Sequence, residues 1–144
     1  MIGALYDGER RLAQQLLAVA ERHAEEHEVH HVARDLAAWS REHAERLVAA
    51  AAERDVRLDG APGIGIRVDL TDAGPPLLRD LCALHLVATQ NSLCWEMLAQ
   101  AARAARDEGL LSLASACHPQ TLRQLRWTNT LIKQLSPQEL VSRR

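Results

Sequence analysis

Imidazole can bind a metal, ligate haem or carry a proton near neutral pH, and this chain of 144 residues contains seven histidines. Four of them, His23, His43, His85 and His118, fall one each on the apolar faces of four long helical patterns. Inward imidazoles of this kind are either cofactor ligands or core residues whose ring nitrogens bond to a hydroxyl, carbonyl or carboxylate. Glu9 lies on the inward line of the first pattern, and Ser92, Thr121 and Asn129 are further candidate partners.

Helical rise rules out one four-histidine centre. At about 1.5 Å per residue, His23 and His43 differ by roughly 15 Å in height above their shared turn, and His85 and His118 by roughly 20 Å above theirs. What remains is a pair from opposite halves: His23 or His43 with His85, or His23 with His118. Glu9 or Cys117 in support would suit a transition metal or haem. His27, His30 and His31 crowd the turn "EEHEVHH", where a solvated cluster is expected, with His27, Glu28 and His31 as an adventitious metal set. Cys117 and His118 are adjacent on one helix and point about 100° apart, so they form no ready thiolate pair.

The elements that must position these groups are helices. Ala and Leu dominate, Phe is absent, and Gly and Pro gather between Gly60 and Pro76. The first helix is expected from Ala4 to Glu25 on a stripe of Leu5, Glu9, Leu12, Leu16, Ala20 and His23. The second runs from Val29 to Arg54 and turns Val32, Leu36, Trp39, His43, Leu47 and Ala50 inward. From Gly60 to Pro76 the period changes to two, through Ile64, Ile66, Val68 and Leu70, which predicts an extended crossing segment. Its glycines lack the lysine and the preceding strand of a phosphate loop. The third helix starts after Pro75 and Pro76 and ends near Asp107, burying Leu77, Leu81, Leu84, His85, Ala88, Ser92, Trp95 and Ala99. The fourth carries Leu111, Ala114, His118, Leu122, Leu125, Asn129 and Ile132 inward, with a kink or break at Pro119. "SPQE" after Leu135 predicts a cap at Ser136 and a short fifth helix or turn.

The expected fold is therefore all-α: an up-down four-helix bundle, one domain over 1–144, with a long crossover loop between the second and third helices. The opening "LYDGERRLAQQLLAVA", supported by "REHAERLVAAAAE" in the second helix, resembles ferritin-like bacterial stress proteins of unknown function, whose first helix opens with an L-Y-x-A-E run. The resemblance implies a ferritin-like bundle, in which two Glu and two Glu-x-x-His pairs would build a dinuclear iron or manganese site. Glu9 matches the first of those carboxylates and Glu96 could stand in for another. The rest are missing: the chain's only Glu-x-x-His is Glu28 with His31 at the turn, and no acid occurs between Leu110 and Gln138. The expectation is a non-enzymatic binding or structural stress-type protein without a standard di-iron centre. The alternative is a metal or haem protein using Glu9 and the histidines His23, His43, His85 and His118.

Charge and segment composition narrow the partners. Seventeen basic and nineteen acidic residues leave a net charge of -2, too weak a field to draw nucleic acid or an anionic membrane. No apolar run is long enough for a membrane span or a signal peptide, and the three cysteines show no C-x-x-C spacing, so a cytoplasmic protein with reduced thiols is expected. A homodimer through the third and fourth helices is expected around Trp127, Leu131 and Leu98, because Trp127 points away from the fourth helix's line through Leu125.

Overall fold

The computed structural model of the protein describes residues 1–58, 70 and 74–141, and they form four helices with no strand among them. Helix α1 spans Ile2–Arg22, α2 His27–Glu53, α3 Pro76–Ala104 and α4 Glu108–Val141. The expected extended path from Gly60 to Pro76 lies outside the described residues, apart from Leu70 and 74–76. Helix α1 packs against α2 and α3, and α4 packs against the same two, while the backbones of the diagonal pairs, α1 with α4 and α2 with α3, do not approach one another among the described residues. None of the described helices is long and apolar enough to cross a membrane.

Local chemistry explains the boundaries. Pro76 opens α3 at a position whose N–H would have no partner in any case. Helices α2 and α3 close with left-handed residues that are not glycine, Asp55 at φ 54° and Arg106 at φ 56°. After each, the chain folds back to the last turn, Val56 N–H to the Ala51 carbonyl and Asp107 N–H to that of Ala102. Asp107 then caps α4 by accepting from the Leu110 N–H at 3.1 Å, and its two oxygens accept from Arg54 Nε and Nη2, each at 2.7 Å. One carboxylate thus starts α4 and ties it to the end of α2.

Helix α4 departs from the expected pattern in three ways. It is not broken at Pro119, and it runs through Pro137 to Val141, so no separate fifth helix forms among the described residues. The Ser136 hydroxyl, expected to cap that element, donates instead to the Ile132 carbonyl one turn back at 2.5 Å. Its buried line is also rotated: Leu113, Cys117, Thr121, Gln124, Thr128 and Leu131 face inward, whereas Leu122 is 42% exposed and Asn129 is exposed. Polar residues take the inner line because each finds a buried partner there, as described below.

That rotation corrects the expected dimer surface. Leu131 belongs to the core, as does Leu98 from α3 in a second cluster, and Trp127 packs half-buried against the cluster that holds Leu131. These three side chains are used within one copy of the chain.

The Arg54 guanidinium and the α4 amides hold the Asp107 carboxyl down at about 2, from an ordinary 3.8. A lowered folded value stabilises above the unfolded value and ceases to do so as pH falls through the folded one. Asp107→Asn should therefore lower the thermal midpoint at neutral pH, and the gap from wild type should begin to close near pH 3.8 and vanish below about 2. Thermal melts followed by circular dichroism across that range test it; a gap independent of pH would assign the loss to capping alone.

Candidate functional site: a buried polar layer

Two apolar clusters fill the bundle. One contains Leu12, Leu16, Leu36, Leu81, Leu84 and Leu131; the other contains Leu5, Leu47, Trp95, Leu98, Leu113 and Cys117. On each helix the buried polar residues fall between the stretches serving these clusters: Glu9 on α1, Ser40 and His43 on α2, Asn91 and Ser92 on α3, Thr121 and Gln124 on α4. Leucine-rich turns on either side hold them in place, and the result is a polar layer through a hydrophobic core.

At its centre, Glu9 and His43 are both fully buried. His43 Nδ1 meets Glu9 Oε2 at 3.2 Å and its Nε2 meets Gln120 Oε1 at 2.6 Å, an arrangement with an acceptor at each ring nitrogen that suits an imidazolium. The Trp95 indole N–H donates to the other Glu9 oxygen at 3.3 Å and its ring stands edge-on to the imidazole. Burial works to lower the His43 pKa, but the neighbouring Cys117 sulfur and the Glu9 carboxylate outweigh it and raise it from 6.5 to about 10. Beside this pair, Gln124 donates to the Leu36 carbonyl at 3.0 Å and to the Ser40 hydroxyl at 2.9 Å.

The other three histidines stand apart from that pair, each with its own partner. His23, at the end of α1, meets Asp80 at 2.7 Å, and Arg22 reaches the same oxygen at 3.1 Å. His85 Nδ1–H donates to the Thr128 hydroxyl at 2.9 Å, whose proton goes to the α4 backbone; burial pushes the His85 pKa down, so the ring is neutral. His118 Nε2 pairs with Ser92 at 2.8 Å at the edge of an outer α3/α4 groove. Of the candidate ligands Glu9 and His43 come together, with Cys117 beside His43, and no group of three or more His, Cys, Asp or Glu among the described residues forms a metal site. Glu96 lies on the exposed side of α3 and cannot stand in for an inward carboxylate. His27 and His31 stack with ring centres 4.8 Å apart on the surface, while His30 reaches back to the Ala20 carbonyl.

The layer has limited chemical scope. Ser92 and His118 are a nucleophile and base by distance, but a helix interior supplies no free N–H pair to hold an oxyanion. Cys117 is fully buried, out of reach of a substrate in this conformation. For a dinuclear cage the needed spacing is present on α2 as Ser40-x-x-His43, with a hydroxyl where the motif has a carboxylate, and Glu9 is the one buried acid among the described residues. Sequence reasoning placed Glu9, His43 and Trp95 on inward faces but missed Gln120, Ser40 and Gln124. The signal was present: Cys117, Thr121, Gln124, Thr128 and Leu131 recur at helical spacing, but the leucines beside them were the stronger hydrophobic cue.

Removing one member of a buried pair strands the other charge. Glu9→Leu should cost about 3–5 kcal/mol, whereas Glu9→Leu with His43→Leu should recover most of that loss. Urea denaturation of the two variants decides it, and a double variant no better than the single would show that the polar layer contributes beyond the pair. A raised imidazolium also carries a pH signature: its contribution is complete below 6.5 and falls as pH rises towards about 10. Nitrogen-15 spectra should show the His43 ring still doubly protonated above 6.5, and a ring that deprotonates there would contradict the ion pair.

Comparison of this chain with protein-family models, with curated proteins and with solved structures returned no match.

Proposed function

We propose that this chain is a cytoplasmic, non-enzymatic binding bundle of the ferritin-like, stress-protein type, working without a di-iron centre. The observation that carries the proposal is the charge at the bundle centre. One carboxylate is balanced there by one protonated imidazole, and a cage for hard metal ions requires several anionic oxygens. The proton on His43 does the neutralising that a metal would otherwise do.

Helix pairings support the ferritin-like path. Partners on α1 and α3 run in opposite senses, His23 with Asp80 and Glu9 with Trp95. Those on α2 and α4 do likewise, Arg54 with Asp107 and Ser40 with Gln124. Such an order favours a long α2 to α3 connection along the bundle, as in ferritin-like folds. A binding role is favoured over a catalytic one because the grooves wide enough for a ligand lie on outer helix seams, away from the Glu9 and His43 pair. Self-association through α3 and α4 would have to use outward side chains such as Leu86, Leu93 and Met97, which are exposed.

The competing reading is a metal or haem protein that uses Glu9 and His43. Elemental analysis and an absorption spectrum, taken on protein expressed without an affinity tag in medium supplied with iron, manganese and haem precursor, separate the two. Far less than one metal ion per chain and no Soret band are expected. Stoichiometric iron or manganese, or a Soret band lost in His43→Ala, would overturn the proposal in favour of the cofactor reading.

A further inference from the structure

The outer seam between α1 and α2 carries an amphipathic groove that the polar layer does not use. Two cavities of about 340 and 290 Å³ lie along it and share Leu17 and Arg41 in their walls. The groove exists because Ala13 and Ala44 form its floor where the helices meet; both are buried and neither is large enough to fill the notch. Val48, 44% exposed, and Leu17 add apolar wall.

Two arginines line this cavity from opposite helices, Arg10 on α1 and Arg41 on α2. The Glu9–His43 contact sets the register of α1 against α2, which puts Arg10 and Arg41 at one level on opposite sides of the seam. Arg10 lies over the Tyr6 ring at 5.5 Å, and neither arginine is in an ion pair among the described residues. Glu45 is the acid in the same cavity, so the two arginines leave it one net positive charge. From the level of Arg41 to that of Val48 the seam is about 10 Å long, at 1.5 Å per residue.

We propose that this seam binds an amphipathic monoanion, a carboxylate on a medium-length acyl chain, with its head between Arg10 and Arg41 and its tail over Ala44 and Val48. Guanidinium forks suit a carboxylate geometrically, and the single net charge favours a monoanion over a dianion. An uncharged or cationic amphiphile would share the apolar contact and lose the head-group bonds. The inference rests on the binding-bundle proposal and names the ligand class for it.

Decanoate, titrated below its micelle concentration into nitrogen-15 labelled protein, is the direct test. Saturable amide shifts confined to 6–17 and 41–48 are expected, with decanol and decyltrimethylammonium binding more weakly. Arg10→Gln and Arg41→Gln, both at exposed positions, should each weaken decanoate roughly tenfold while leaving the thermal midpoint unchanged. Equal binding of decanol, no effect of either arginine variant, or no saturable shift would each overturn the site. Shifts that gather instead on the outer face of α3, at Leu86, Leu93 and Met97, would also overturn it while leaving a binding role intact. The metal and haem measurements fail or succeed independently of these titrations.

Discussion

A charged carboxylate inside an apolar bundle is tolerable only with a permanent counter-charge, and here that is the proton held on His43. Glu9 accepts from the imidazolium and from the Trp95 indole, while His43 spends its second N–H on Gln120, so the one ion pair recruits all four helices. A simple ion pair in such a place often contributes little net stability, since desolvation offsets most of the attraction. Its effect is on uniqueness. Slide or rotate any helix by one position and a charge or an amide is left against leucine, at a cost of about 1–3 kcal/mol for each unpaired polar group. The two apolar clusters on either side supply the drive to collapse, and the layer between them selects one register.

That division explains what could be read from the chain. The four helices and the inward lines of α1, α2 and α3 were legible, because Leu5, Leu12, Leu16, Leu36, Leu47, Leu81 and Leu84 repeat at helical period with little competition. Helix α4 was misread because two lines compete on it. The line through Leu122 and Leu125 is the more hydrophobic, yet the line through Thr121, Gln124 and Thr128 is buried. Hydrophobicity alone cannot choose between them when the facing surface is itself polar. The partners that decide the matter, Leu36, Ser40 and His85, are more than forty residues away in sequence. The same misreading carried Trp127 to the outside and so suggested a dimer interface at side chains that pack inward.

The histidines show the limit of residue type as a guide. His43 is charged because a carboxylate and a glutamine carbonyl oxygen meet its two nitrogens, whereas His85 meets a hydroxyl already committed to the backbone and is neutral. Both lay on apolar faces, and only the facing helix distinguishes them.

Gly8 lies beside this layer, next to Glu9 in sequence and against Asn91 in space. A methyl group placed on it would run into the Asn91 carboxamide, which is buried where α1 approaches α3. The two positions are therefore sterically one unit. An alanine at position 8 would displace the amide from the seam. A chain that acquires it would have to shorten residue 91 or widen the gap between the helices, so evolutionary drift at either position is tied to drift at the other, across eighty-odd residues of intervening sequence.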